Sequence, residues 1–555
     1  MATQPDLRLG VDVGGTHTDA VLLGLDGRLL DKAKVPTTRD VTTGIEVAVL
    51  GLLASDVRDR VSHVMVGTTH ATNALLERKG LARVAVLRIG GPATNAVPPL
   101  FGWPEDLRRT VSVAETIVDG GFELDGRELT AFDRDSAARF VASLPEELDG
   151  IAVSSVFSPV SAEHELLAEQ VVRAERGFDV HISLSHQIGT LGLLERENAT
   201  VLNEALVGTA RAVVASISDA LARCGLSRAV QLFTQNDGTL IPLHQVVDLP
   251  VLTIGSGPAN SIRGAAHLSG VDHAVVVDVG GTSTDVGMLV NGFPRTSSFG
   301  VRVGGVATNF RMPDLVSIAL GGGSVCRHGG RRVAVGPESV GYLLDRAALA
   351  FGGSTPTLSD AAIAAGRASF GTTAVPPSPA LSRALSIADE MLGEAIDRVK
   401  TEKTDLTLVA VGGGSVLLPE TIPGVSGVLR PSDFDVANAV GAAIGTVSGH
   451  VDRIYRRSGR DRRELIEEAS SQACGEAVRA GADPDSVEVV ELEEIPLSYL
   501  TDPCLRVRAK AITGNSSRIK DRCLAAAVVS ASHHRITTSR TVCRLLLISA
   551  SSKRS

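Results

Sequence analysis

The sequence predicts an α/β protein built from two similar halves that face each other across a cleft, and three observations lead there. Apolar strand-like runs alternate with helix-like runs from Leu7 onward, which is the pattern of α/β layers. The segment DVGGTHTDAVLL at residues 12–23 recurs as DVGGTSTDVGML at residues 278–289, with Asp, Val, Gly, Gly, Thr, Thr and Asp in one register. A repeat at about half the chain length implies paired halves rather than a solenoid. Glycine, 57 of 555 residues, gathers in short clusters beside apolar runs, where a backbone turns tightly or approaches a ligand closely.

Taken in order, residues 7–13 form an apolar strand and Gly14-Gly15 a turn. Residues 19–25 continue as a strand, and Asp26-Gly27 makes a hairpin into 28–35. A helix is predicted over 44–54 and a strand over 61–66. A short helix over 71–79 is ended by Gly80, and a strand follows over 84–89. Further strands fall at 150–156, 180–184 and 229–234. The longest helix, 195–222, carries Leu202, Ala205, Leu206, Ala210 and Val213 on one face. The second copy then runs as strand 274–279, turn Gly280-Gly281, strand 284–290 and hairpin turn Asn291-Gly292. A helix over 461–480 and a β-like stretch over 487–509 complete the ordered pattern. From Asn515 the chain is basic and Ser/Thr-rich, with Asp521 its one acid, and reads as a disordered or non-native tail. The expected division is 1–186 for the first domain, 187–455 for the second, 456–514 for a small C-terminal extension and 515–555 for the tail.

Composition removes several classes of function. A net charge of -9 and 3% aromatic residues argue against nucleic acid, which needs a basic face or stacking platforms. No apolar run of about 18 residues suggests a membrane span, and no charged leader precedes an apolar segment, so a cytoplasmic location is expected. Cys224, Cys326, Cys474, Cys504, Cys523 and Cys543 form no CxxC pair, and are expected as reduced, mostly buried thiols. The P-loop, a Rossmann GxGxxG, HExxH and GxSxG are all missing. His164-Glu165 lacks the second histidine of a zinc helix.

The repeated hairpin has a physical use. At Gly14-Gly15 backbone N–H groups are bare, glycine admits a phosphate closely, and Thr16 and Thr18 add hydroxyls. Asp12 closes the first strand and enters the same cleft. A carboxylate there can hold Mg²⁺ through water or polarise an attacking water. The second copy offers Asp278, Gly280, Gly281, Thr282 and Thr284, and two opposed copies clamp a triphosphate from both sides. A third cluster, Gly412, Gly413 and Gly414, follows an apolar strand and lets a flat base or ribose lie on the backbone. A fourth, LGGGSV at 320–325, also follows an apolar run.

With these residues in hand, the paired Asp-Gly-Gly-Thr hairpins and the late triple-glycine loop resemble the actin-like ATPase superfamily. VGTTHATNALLERKG at 66–80, SGPANSIRGAAHLSG at 256–270, PTLSDA at 356–361, VGGGSVLLP at 411–419 and VANAVGAAIG at 436–445 resemble, more narrowly, the hydantoinase A/oxoprolinase family. The resemblance covers about residues 7–511. It implies two actin/Hsp70-like, ribonuclease H-like domains around an ATP cleft. It implies ATP with Mg²⁺ or Mn²⁺ as cofactors, Asp12 and Asp278 as catalytic and metal-holding groups, and the two hairpins as phosphate sites. Gly412–Gly414 would lie under adenosine, and Thr68, Thr69, Thr72 and Asn73 would face the substrate. Thr69 can equally be a plain helix N-cap. The activity implied is ATP-dependent opening of a hydantoin, N-methylhydantoin or 5-oxoproline ring together with a separate B-type subunit. Ketone carboxylation, a sugar or acyl kinase, and a non-catalytic nucleotide switch stand as alternatives.

Overall fold

A computed structural model describes residues 6–37, 41–297, 300–310, 312–329, 332–401, 403–457, 459–497 and 503–513. The tail expected at 515–555, with Cys523 and Cys543, lies outside the described residues.

The apolar N-terminal run forms the strand Leu7–Val13 and pairs antiparallel with His17–Gly24. Asp26-Gly27 turns the chain into Leu29–Pro36, with Gly27 at φ +82°, a conformation that suits glycine. Leu7–Val13 also pairs in parallel with Val61–Thr68, which pairs in parallel with Val230–Thr234. These strands are the centre of a nine-stranded sheet. Beyond them lie Thr239–Pro242, Thr446–Arg456, Cys504–Thr513 and Val487–Leu497. The second copy starts a sheet of six strands, in which Ala274–Val279 pairs antiparallel with Thr284–Val290 and in parallel with Leu406–Val411.

Strand pairing crosses the expected boundaries at 186 and 455. Residues 230–242 complete the first half's sheet. The strand Thr446–Arg456 crosses the expected end of the second domain, and the C-terminal extension is bonded to that first sheet's edge. The repeat marks where each half begins, and nothing in it records where the chain crosses back. A third, all-parallel sheet of Ser112–Asp119, Val84–Gly91, Gly150–Ser155 and His181–Leu184 stands beside the first half.

The helix Leu193–Arg223 backs these sheets. By length and composition it could cross a membrane, which the search for an unbroken apolar run missed. Here its first half is buried, and the buried charges Arg196, Glu197 and Glu204 have partners inside the protein. Arg88, fully buried, donates to both oxygens of Glu197 at 2.6 Å. Glu204 accepts from Ser183 at 2.7 Å. The short helix is His70–Glu77. Its left-handed closing residue is Arg78, at φ 56°, rather than Gly80. All four described cysteines are buried, and Cys224 and Cys326 are thiols.

Two helices cross between the halves, Ser256–Ser269 and Ala437–Ala443. Their approach is as close as backbones permit. A methyl on Gly264 would lie 1.9 Å from Ala437 O, and one on Gly441 1.9 Å from Asn260 O. On the first sheet a methyl on Gly10 would lie 2.2 Å from Ala439 O. Only glycine fits at these three positions, so the crossing holds each half's first strand at a fixed depth.

Candidate nucleotide cleft

The two hairpins have the same register. Asp12 faces Asp19 and Val13 faces Thr18 in the first; Asp278 faces Asp285 and Val279 faces Thr284 in the second. Their turns close alike, with Gly14 N donating to His17 O at 3.0 Å and Gly280 N to Ser283 O at 2.9 Å. The tips meet: a methyl on Gly281 would lie 3.4 Å from Thr16 Cγ2. Gly15, Thr282 and part of Thr16 are exposed at this junction. The sequence-predicted opposition of the two copies is what the structure places here.

The likeness extends past the repeat. Asp12 is in register with Gly67 on the neighbouring parallel strand, and Asp278 with Val411, next to Gly412. A methyl on Gly67 would lie 2.8 Å from Asp12 Oδ1, and one on Gly412 2.1 Å from Asp278 Oδ1. Each aspartate thus lies against a glycine of its neighbour strand, and any larger residue there would displace the carboxylate.

Burial decides the electrostatics. Asp12 is 4% exposed, and its Oδ1 is buried without a hydrogen-bond partner. That burial, with the nearby Asp19 charge, pushes its carboxyl up to about 7. Burial also raises Asp278, and it raises Asp285 to about 6 against a Ser317 hydrogen bond. Asp19 is raised by burial and held back by Lys34, whose Nζ lies 2.8 and 2.9 Å from its two oxygens. The amide of Asn438, on the crossing helix, lowers both Asp12 and Asp278 against that burial. Ser261, on the other crossing helix, donates to Asp278 and lies 2.6 Å from the Asn438 amide.

The cleft floor therefore carries Asp12, Asp19, Asp278 and Asp285 against Lys34. That excess of negative charge, with one orphaned carboxylate oxygen, fits a divalent cation brought in with phosphate. Among the described residues no group of three or more His, Cys, Asp or Glu side chains is placed to hold a metal ion. A cation shared between one or two carboxylates, waters and phosphate oxygens needs no such group.

Not every predicted donor is free for a ligand. Thr18 is fully buried with its Oγ1 3.4 Å from Thr37 Oγ1. Thr284 is 1% exposed and donates to Leu320 O at 2.5 Å. Both hydroxyls brace the hairpins in this structure. Of the three late glycines, Gly413 alone has open space where a side chain would be. Gly412 takes φ +80°, and a methyl on Gly414 would lie 2.7 Å from Val279 Cγ1. Those two are needed for packing on the second hairpin, while Gly413 presents bare backbone. The fourth cluster is also part of this wall, with Gly322 N donating to Gly280 O at 3.1 Å and Gly323 N to Gly281 O at 2.7 Å.

The predicted substrate segment adjoins the first hairpin. Thr68 is in register with Val13, and Thr69 N donates to Val13 O at 3.4 Å. Thr69 occupies the N-cap position but its side chain makes no capping bond; its hydroxyl accepts from Asn73 at 3.4 Å. Thr72 accepts from Gly255 N at 3.4 Å. Asn438, Ser261, Lys34, Asp19 and Asp285 were missed as site residues. Both aspartates end the repeated motif, so the repeat itself was their signal. Asn438 and Ser261 lie far off in sequence and reach the cleft only because the two helices cross.

Opposed Asp-Gly-Gly-Thr hairpins, joined by crossing helices over a glycine-lined wall, define a protein of the actin-like ATPase fold. The structure resembles ATP-dependent caprolactamase from Pseudomonas jessenii with a TM-score of 0.71 at 22% identity, covering 91% of this chain and 87% of that one. It resembles nucleotide-free acetone carboxylase with a TM-score of 0.68 at 16% identity, covering 92% and 88%. The hydantoinase/oxoprolinase N-terminal region matches residues 8–176, and the hydantoinase/oxoprolinase region matches residues 196–370. The chain belongs to the hydantoinase/oxoprolinase family. Acetophenone carboxylase gamma subunit of Aromatoleum aromaticum is 29% identical over 397 residues, 64% of this chain and 53% of that protein. Caprolactamase subunit alpha of Pseudomonas jessenii is 27% identical over 503 residues, 84% of this chain and 69% of that protein. The chain thus spans about half the length of the first of these relatives.

Proposed function

We propose that this chain is the ATP-using subunit of a cyclic amide hydrolase. It phosphorylates the ring's amide oxygen, and a separate B-type subunit completes the opening. The observation that carries this reading is the meeting of the two hairpins at Thr16 and Gly281, with the buried carboxyls of Asp12 and Asp278 behind them. Backbone N–H groups of Gly15 and Gly281, at the tips of the two turns, hold the phosphates, and Gly413 receives the adenosine. Asp12 and Asp278 would hold Mg²⁺, which would supply neutralisation of the phosphate charge.

The chemistry needs such a clamp. An amide oxygen is a poor leaving group. Its attack on the γ-phosphorus breaks the bond to the β-phosphate oxygen and releases ADP. Water then adds to the activated carbon and the C–N bond breaks, leaving an acyl phosphate that a second water hydrolyses to the carboxylate and free phosphate. Opposed donors that fix the phosphoryl group against the amide oxygen supply position and charge stabilisation, the main protein contributions to phosphoryl transfer.

Support for a hydrolase comes from the family and from the caprolactamase likeness across most of the chain. The acetophenone carboxylase relative favours a second reading, ketone carboxylation with the same phosphorylating half. The test is co-purification with a B-type subunit, then ATP turnover measured with hydantoins, lactams, 5-oxoproline, and ketones plus bicarbonate. Stimulation by a cyclic amide supports the hydrolase. Stimulation by ketone only when bicarbonate is present selects the carboxylase, and response to neither overturns both.

A further inference from the structure

The outer aspartates of the two hairpins, Asp19 and Asp285, have different neighbours. Residues paired directly across a sheet project from the same face. In the first sheet one such row runs Gly67, Asp12, Asp19, Lys34. In the second sheet it runs Val411, Asp278, Asp285, Ser317. The carboxylates match, but the first row ends in an ammonium and the second in a hydroxyl. Lys34 Nζ lies 2.8 and 2.9 Å from the two oxygens of Asp19, and donates to Asp435 O at 3.0 Å. Ser317 donates to one oxygen of Asp285. We propose that Lys34 takes the place of a second metal ion. It occupies Asp19, so the cleft binds a single divalent cation with the nucleotide, at Asp12 and Asp278. The inference rests on the metal–nucleotide reading of the cleft given above and adds its metal count.

Without Lys34 the row would suit two ions. Asp12 and Asp19 are 4% and 8% exposed, and directly opposed residues have Cβ atoms about 4.5–5.5 Å apart. Burial first, and then the Asp19 charge, oppose ionisation of Asp12, and the Asp278 charge adds to both. Three carboxylates so placed could serve a pair of metal ions, which stand about 3.5–4 Å apart in two-metal sites. Lys34 removes that option, because a divalent ion on Asp19 would stand beside a fixed positive charge. Asp12 differs from Asp19. Its Oδ1 is buried with no hydrogen-bond partner among the described residues, which leaves that oxygen for a cation. Against the burial that raises Asp12 and Asp278, the Lys34 charge favours their ionised forms, the forms that bind metal.

The ammonium is also well anchored. Its side chain is 30% exposed and that of Asp19 11%. Asp435 belongs to the turn Phe434–Val436, which leads into the crossing helix Ala437–Ala443. Lys32, on the same edge strand, bonds Asp433 and Asp435 at 3.0 and 2.7 Å. The strand that carries Lys34 is thus tied to that turn at two points.

Equilibrium dialysis of the full chain against Mn²⁺ and a non-hydrolysable ATP analogue counts the ions held per chain. The parent is expected to hold one. Lys34→Met frees Asp19 and is expected to hold two, the second with a dissociation constant of about 1 mM or tighter. Lys34→Arg keeps a cation there and should hold one. The double variant Lys34→Met, Asp19→Asn removes both charges together, so its folding does not depend on an unpaired carboxylate. It should hold one ion, with affinity within about threefold of the parent, because Asp19 is not a ligand. Two ions on the parent or on Lys34→Arg overturn the inference. So does one ion on a Lys34→Met protein with native near-ultraviolet circular dichroism, or a loss of about tenfold or more in the double variant's Mn²⁺ affinity. A parent that retains no Mn²⁺ or no analogue overturns instead the metal–nucleotide reading itself.

Discussion

Asp12 should make the ligand-free protein less stable as pH rises. Its carboxyl titrates near 7 when folded, because burial and the Asp19 charge oppose ionisation, against 3.8 in the unfolded chain. A raised folded value means the native state binds the proton more tightly. The resulting stabilisation is present below pH 3.8 and is lost as pH climbs through the folded value. A gap from 3.8 to about 7 corresponds to about 4 kcal/mol. Asp12→Asn keeps the shape and removes the charge, so it should be more stable than the parent by up to about 4 kcal/mol at pH 8, and by less than about 2 kcal/mol at pH 5. Urea denaturation of both proteins across that range, followed by the far-ultraviolet signal, measures the difference. Saturating Mg²⁺ and ATP analogue should shrink it at pH 8, because the bound cation stabilises the ionised parent carboxylate. A difference that does not grow with pH would refute the argument, since it would mean Asp12 is solvated or already paired when charged.

Other positions separate structure from function. Asp12→Ala or Asp278→Ala should abolish ATP turnover while near-ultraviolet circular dichroism stays native, because each removes a cleft carboxylate and no core. Gly413→Ala should fold normally, having open space for its methyl, yet lose nucleotide affinity measured by fluorescent-analogue titration. Gly264→Ala places a methyl 1.9 Å from Ala437 O and should cost about 1–3 kcal/mol or more in denaturation. Glu197→Gln, which leaves Arg88 buried without its charge partner, should cost about 3–5 kcal/mol and first loosen the four-stranded sheet, read by hydrogen exchange.

How much could be read from residues alone depended on how far apart the cooperating residues lie in sequence. The hairpins were legible because strand, turn and strand are contiguous, and because two copies share one register. The helix at 193–223 was legible from its period. The sheet order was not, since Val230–Thr234 joins Val61–Thr68 across more than a hundred residues. Nothing in local pattern marks that pairing. Thr18 and Thr284 were read as ligands for a similar reason. A hydroxyl near a phosphate turn looks available until Thr37 and Leu320 O are seen to occupy it.

The same distance explains the least legible part of the site. Asn438 and Ser261 sit on helices that follow different strands, and they meet because Gly264 and Gly441 let those helices touch at the backbone. The crossing thus does two things at once. It fixes the spacing of the two hairpins, and it delivers the Asn438 amide that lowers both of their carboxyls. These roles can be separated by experiment. Asn438→Ala removes that amide and leaves the crossing intact, since both clashing glycine contacts are to the Ala437 and Asn260 carbonyls. It should therefore retain the parent's melting behaviour at low pH, raise both carboxyl pKa values by removing a hydrogen bond that lowers each, and shift the acid limb of ATP turnover to higher pH. A variant that instead melts early at every pH would place Asn438 in the packing of the crossing rather than in the chemistry of the cleft.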